Sequence, residues 1–304
     1  MSRERDFIDL LRPLAQDRAA RGLADDAAVL DVASGVLVMT HDMIVEGVHY
    51  LPSDPPQDVA WKLVAVNLSD LAAKGARPIG VLLGYALAER SDGDVAFVEG
   101  LSEALDAFDV PLLGGDTVHM PDGAPRAHGL TAIGAAHPAG TPSRAGARPG
   151  DILYMTGQVG AAGLGLAVAR GERPARAEWL AAYRRPQPRL AEGRALAPLV
   201  HAMADISDGL LIDAARMAQA SAVGVEIDLG AVPIAQGAEP MAAIVAGDDY
   251  ELLFAAHPDL SLSQPEFATV TAIGRFVSGT GLTLRDASGP LPLPEKLGFE
   301  HDAP

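Results

Sequence analysis

The 304-residue chain is 49% hydrophobic, enough for a packed core in one large or two ordinary domains, and its 40 acidic and 23 basic residues leave a net charge of −17. That charge opposes binding to nucleic acid or to an anionic membrane surface, so a polyanionic ligand needs cations between itself and the protein. The lack of cysteine removes disulfides, thiolate chemistry and zinc–sulfur sites and fits a cytoplasmic protein, no run of about 18 uncharged apolar residues reads as a membrane span, and MSRERDFIDLL lacks the apolar segment of a signal peptide.

In chain order, DFIDLLRPLA predicts a helix, and AAVLDV and GVLVMT predict strands. DVAWKLVAVNLSDLAAKG carries a helical apolar pattern that ends at Gly75, with Pro78 beyond. IGVLLGYALA and HGLTAIGAAHP read as strands, separated by a helix over VAFVEGLSEALDAF and a turn at GGDT. The Gly-, Pro-, Ala- and Arg-rich AGTPSRAGARPGD marks a boundary, which divides the chain into α/β domains at 1–138 and 139–304. Beyond it come a strand at ILYMT, helices at AAGLGLAVAR and RLAEGRALAPLVHA, and a strand running into a helix at ADISDGLLIDAA. Ser207 and Asp208 are placed there to cap a helix starting near Gly209, and DDYELLFAAHP gives one more strand.

Acidic residues recur at the ends of these elements: Asp25 and Asp26, Asp42, Asp70, Asp116, Asp205 and Asp208 with Asp213, and Asp248, Asp249 and Glu251. Each is an ordinary turn or cap residue when taken singly. As a series they suit Mg²⁺, a hard cation held by a few carboxylates together with substrate phosphates. The eight histidines form no HExxH pairing, and no EF-hand loop occurs. A P-loop is also missing, since none of Lys62, Lys74 and Lys296 follows the required glycine spacing. The glycines of TGQVGAAGLGLAV are read as tight turning and close helix packing rather than a phosphate cradle. NLSDL at 67–71 and DISDGL at 205–210 share a Ser-Asp step, a weak internal echo.

LADDAAVL, THDMIVEGVHYLP, AVNLSDLAAKGARP, LLGGDT, SRAGARPGD, ADISDGL and GDDYELLF, in this order and over nearly the whole chain, resemble the motif series of the thiamine-monophosphate kinase family, within the aminoimidazole ribonucleotide synthetase-like superfamily. The resemblance implies a two-domain α/β fold in which the N-terminal sheet pairs across a homodimer, with both domains contributing to a site for ATP and metal. It implies Mg²⁺ ions on Asp26, Thr40, Asp42, Asp70, Asp116, Asp205 and Asp208, and ATP against Gly115, Asp116, Arg144 and Ser207. Thiamine monophosphate would face His49, Asp248 and Phe299. The implied reaction is direct transfer of the ATP γ-phosphoryl group to thiamine monophosphate, giving thiamine diphosphate, with no dedicated nucleophile or base among the residues.

Three positions depart from the family pattern: His41 where a second hydroxyl residue is usual, Asp248 one methylene short of the usual Glu, and Ala24 where the first glycine of the N-terminal motif stands. Two alternatives stay open. One is another ATP-dependent enzyme of the superfamily, aminoimidazole ribonucleotide synthetase-like; the other is a non-catalytic divalent-cation-binding scaffold.

Overall fold

The computed structural model describes residues 3–23, 35–87, 91–121 and 123–300. The chain forms two compact units, one of residues 1–71 and 77–136, the other of residues 72–76 and 137–304. The fold is mixed α/β, and each unit is built on its own sheet.

The first unit contains α1 (Arg3–Leu11), β1 (Leu37–Val45), α2 (Pro56–Ala73), β2 (Arg77–Ala86), α3 (Ser91–Ala107), β3 (Leu112–Val118) and β4 (Ala127–Ala135). Its strands lie in the order β1-β4-β2-β3; β4 runs antiparallel to both neighbours, and β2 and β3 are parallel. Both crossover helices advance across the sheet in the same direction, so the right-handed rule puts α2 and α3 on one face. That face holds the core, with Leu63, Leu68, Leu71, Val81, Leu83, Leu101, Leu112 and Leu130 all buried. An aromatic stack completes it: Tyr85 lies 4.3 Å from Phe7 and 4.8 Å from the buried His128, ring centre to ring centre. Burial, aided by the nearby Arg126 charge, lowers the His128 pKa to about 3, so the ring is neutral.

Among the described residues the other face of this sheet is open along β1. Along β1 exposure alternates, and Met39 and Met43 are 63% and 52% exposed. IGVLLGYALA is β2, an interior strand between β4 and β3; Val81, Leu83 and Tyr85 are buried on the helix-covered face, while Leu82 on the other face is only half-buried. GGDT is not a turn but part of β3. Its glycines serve close strand approach: a Cβ on Gly115 would overlap the Leu83 carbonyl of β2.

The second unit has β5 (Ile152–Met155), α4 (Ala161–Ala169), α5 (Ala177–Arg184), α6 (Leu190–Leu196), β6 (Ala202–Ile206), α7 (Leu210–Ala220), β7 (Gly224–Asp228), α8 (Pro240–Ala243), β8 (Glu251–Ala256), β9 (Thr271–Val277), β10 (Gly281–Asp286) and β11 (Gly289–Leu291). The sheet order is β11-β10-β7-β9-β5-β8-β6. One of its cores gathers β6, α7, β7 and β9; another packs Tyr154, Leu196 and Phe254 with Ala72 and Ala73. A partly buried ion pair braces this unit, Arg189 donating to both oxygens of the buried Glu251 at 2.5 and 2.6 Å while the Thr156 hydroxyl adds a third bond at 2.6 Å. Glu251, one of the recurrent acidic residues, is thereby spent on structure.

The glycine-rich segment opens α4, where the Gly160 N–H donates to both carboxylate oxygens of Asp249 at 3.0 Å. A carboxylate already occupies that helix start, which leaves no anion cradle there. Gly165 is needed for packing, because a Cβ there would overlap the Trp179 carbonyl.

Candidate functional site

In the first unit, the two-residue period of β1 puts Thr40 and Asp42 on the helix-covered face and His41 on the open face. The Thr40 hydroxyl donates to the Asp70 carboxylate of α2. Asn67, one helical turn before Asp70 and fully buried, accepts the Asp42 backbone N–H at 2.8 Å. His41 instead pairs across the strands with the Thr131 hydroxyl at 2.9 Å. Its departure from the family pattern therefore falls on the side away from Thr40 and Asp42.

His49 follows β1 in a tight turn. Its Nδ1 accepts the Val45 N–H at 3.0 Å, which puts the proton of the neutral ring on Nε2. The buried Lys62 of α2 donates to the His49 carbonyl at 2.9 Å and holds the turn. Gly115 and Asp116 lie elsewhere, on β3 at the opposite edge of the sheet. The register runs Asp42, Leu130, Leu83, Gly115, three strand spacings or roughly 14 Å. Asp116 is the next residue along and so belongs to the open face, where it accepts the Thr117 N–H at 2.9 Å. Asp26 and Ala24 lie outside the described residues.

In the second unit, the expected residues collect at the end of β6. Asp205 is buried in β6, and Ser207 and Asp208 form the turn between β6 and α7. Ser207 and Asp208 do not cap the helix. Gly209 holds the N-cap position without a side-chain bond, and the grip runs the other way. One oxygen of the buried Asp213, in the first turn of α7, accepts the N–H groups of both Ser207 and Asp208 at 3.1 Å. Its other oxygen takes Arg216 at 3.1 Å, and the same Arg216 nitrogen also donates to Asp208. Burial raises the Asp213 pKa, with the Asp208 N–H and the Arg216 charge pulling against it.

Backbone bonds then bring the substrate-facing residues to this turn. The Asp248 N–H donates to the Ser207 carbonyl and the Phe299 N–H to the Asp208 carbonyl, both at 2.8 Å. Asp248 has φ +69°, an unusual conformation for a residue with a side chain, and its carboxylate accepts the Tyr250 hydroxyl at 3.0 Å. Phe299 leaves 43% of its surface exposed, beside an acidic turn. The exposed Arg144 follows Ser143, whose carbonyl accepts the Met203 N–H of β6 at 2.9 Å.

The structure thus gathers Ser207, Asp208, Asp248 and Phe299 in one unit, and Thr40 with Asp70 and the Asp42 backbone in the other, while Asp116 stands apart. Among the described residues no three His, Asp or Glu side chains are grouped as a ready metal cage. Sequence reasoning did not single out Asn67, Lys62 or Arg216, and it gave Asp213 no role at the site. The available signal was polarity in the wrong place, since each lies inside or beside an otherwise apolar helical run.

Two family models match the chain in succession: AIR synthase related protein, N-terminal domain, over residues 24–136, and AIR synthase related protein, C-terminal domain, over residues 148–287. The thiamine-monophosphate kinase of Caulobacter vibrioides is 39% identical and aligns with 96% of this chain and 88% of its own length. Among solved structures, that of thiamine-monophosphate kinase from Stenotrophomonas maltophilia K279a matches with a TM-score of 0.82 at 32% identity, covering 93% of this chain and 96% of that one. A second, described as AaThiL complexed with AMPPCP and TMP, matches at 0.79 and 28% identity over 98% and 97%.

Proposed function

The chain belongs to the AIR synthase related family, alongside proteins named thiamine-monophosphate kinase, and we propose that it is such a kinase, phosphorylating thiamine monophosphate to thiamine diphosphate with ATP in the cytoplasm. The observation that carries this reading is the turn at Ser207 and Asp208. A half-exposed aromatic ring, Phe299, and two acidic residues, Asp208 and Asp248, are tied to one another through main-chain hydrogen bonds. That combination suits a ligand with aromatic rings at one end and phosphate at the other. The relative solved with AMPPCP and TMP supports the same pair of substrates.

The donors fit Mg²⁺ by their chemistry, being carboxylates and a hydroxyl with no thiolate. Thr40, Asp42, Asp70, Asp116, Asp205 and Asp208, together with Asp26, would hold several such ions, whose chemistry when bound is to neutralise and bridge phosphate oxygens. Gly115, Asp116, Arg144 and Ser207 bind ATP. His49 presents its Nε2 proton to an acceptor oxygen, and Phe299 and Asp248 hold the thiamine end. In the transfer an ionised oxygen of thiamine monophosphate attacks the γ-phosphorus in line, the bond to the β,γ-bridging oxygen breaks, and ADP leaves. No proton need be removed from that nucleophile, so the work of the side chains is positioning.

We also propose that the protein is a homodimer in which a second copy covers the open face of the first unit, where Leu37, Met39 and Met43 of β1 are exposed. The reaction is tested by incubating the protein with ATP, Mg²⁺ and either thiamine monophosphate or an aminoimidazole ribonucleotide synthetase substrate, and resolving the products. Thiamine diphosphate and ADP in equal amounts are expected. ATP turnover with only the second substrate would overturn the assignment, and no turnover with either would favour a scaffold.

A further inference from the structure

We propose that Asn67 is a positioning residue that sets the Asp42 carboxylate by clamping the backbone of β1; this rests on the reading of Asp42 as a cation ligand. Asn67 lies in α2 and is fully buried, with Leu63, Val64, Leu68 and Leu71 of the same helix buried around it. An apolar residue would serve such a place, and a buried carboxamide is costly unless its groups are paired. Here they are paired with the strand: Oδ1 accepts the Asp42 N–H at 2.8 Å, and Nδ2 donates to the Leu63 carbonyl at 2.9 Å and, at the 3.5 Å limit, to the Asp42 carbonyl.

The place explains the choice of residue. Among the described residues β1 pairs with β4 on one side only. At alternate residues its N–H and C=O both point away from β4, where a further strand would ordinarily meet them. Asp42 is such a residue, since its N–H goes to α2. The side-chain amide of Asn67 has an acceptor and a donor in one plane and meets the Asp42 N–H and C=O as a peptide group would. Asp70, three residues further along α2, takes the Thr40 hydroxyl, so one helix face fixes two successive inward residues of β1. Through this clamp the Asp42 carboxylate is referred to the helix that carries Asp70.

The test uses the full chain with Asn67→Leu, Asp42→Asn and the double variant; Asn67→Ser, smaller and still polar, serves if the leucine variant does not fold. The first measurement is amide hydrogen exchange at Asp42 without metal or nucleotide. It should quicken by about tenfold or more in the Asn67 variant while the rest of the β1–β4 ladder is unchanged. The second is Mg²⁺-dependent binding of AMPPCP, with no thiamine phosphate present. Asn67→Leu should weaken it by about 10- to 100-fold, the range typical of residues that orient a metal ligand. In the Asp42→Asn background the same change should add less than about threefold, because its route is already cut.

Unaltered Asp42 exchange, or an undiminished effect of Asn67→Leu in that background, would overturn the proposal. If Asp42→Asn by itself leaves Mg²⁺-dependent binding intact, Asp42 is no ligand and the proposal falls with that reading; the exchange result then shows that the clamp was real and the metal role was not.

Discussion

Replacing Asp213 separates the two jobs that its carboxylate performs at the Ser207–Asp208 turn. Asp213→Ala removes the acceptor of two N–H groups held at 3.1 Å and the partner of Arg216, leaving donors in a half-buried turn short of bonds. An unsatisfied buried donor costs about 1–3 kcal/mol, and partial hydration of this turn keeps the total for two donors toward the low end of the doubled range, about 2–3 kcal/mol. Asp213→Asn retains one oxygen that can accept the same two N–H groups while its NH₂ faces Arg216, so only the ion pair is lost. Arg216 is about a third exposed and keeps Asp208, which limits that loss to about 1 kcal/mol. Urea unfolding of wild type and both variants, followed by a probe in the second unit, gives the comparison, and amide exchange at Ser207 and Asp208 shows whether the turn has opened. The alanine variant should be less stable than the asparagine variant, with fast turn exchange in the former only. Equal losses would mean that the ion pair, not the amide grip, holds the turn, and an alanine variant within about 0.5 kcal/mol of wild type would refute the argument altogether.

Phe299→Ala should raise the apparent constant for thiamine monophosphate several-fold, from a lost stacking contact of about 0.5–1.5 kcal/mol, and leave that for ATP nearly unchanged; equal rises in both with an unchanged melting temperature would remove Phe299 from the substrate side. His128 has its pKa lowered from 6.5 to about 3 by burial, so its contribution is complete above pH 6.5 and is lost as pH falls toward 3, by about 2 kcal/mol between pH 7 and pH 5. His128→Gln should flatten that part of the stability–pH curve, and an unchanged slope would show that the native ring takes up a proton. Light scattering at micromolar concentration should give twice the 31.4 kDa chain mass, and Met39→Lys with Met43→Lys should return it to the monomer; a wild-type monomer would leave the open face without its proposed cover.

The parts of the fold legible in the sequence are those where local pattern and tertiary packing agree. The apolar run from Asp58 to Ala73 is helical, and the stretch from Ala202 to Ala220 does pass from strand to helix. Reading failed where a long-range partner decided the matter. Gly114 and Gly115 resemble a turn until β2 is placed alongside, and the helix expected over RLAEGRALAPLVHA stops at Leu196 because Pro198 follows. α5 and the short strands β7, β9, β10 and β11 carry too little periodic pattern to stand out from the Gly- and Arg-rich sequence around them. At the site, the Ser207–Asp208 turn, Asp248 and Phe299 are far apart in sequence, and main-chain bonds independent of side-chain type join them. Their types can be matched to a motif, but nothing in them spells the contacts. Asn67 and Asp213 were readable as anomalies, polar residues in apolar runs; what each holds depends on a backbone group outside its own helix.

The two Ser-Asp steps show why a shared dipeptide is a poor guide here. Ser69 and Asp70 lie inside α2, so Asp70 is aimed by helix geometry and reaches sideways to a strand. Ser207 and Asp208 lie in a turn before α7, aimed by bonds to their own amides from Asp213. They are not a structural repeat. The difference carries a consequence for substitution. In the first unit the residues that fix the geometry are side chains, Asn67 and Lys62, and changing them should move the ligands themselves. In the second unit, Ser207, Asp248 and Phe299 are held through their N–H and C=O groups, so their side chains can change while the turn keeps its shape. The shorter carboxylate at position 248 is a natural instance: its backbone bond to Ser207 does not depend on side-chain length, and the missing methylene alters the reach of the carboxylate and its bond to the Tyr250 hydroxyl.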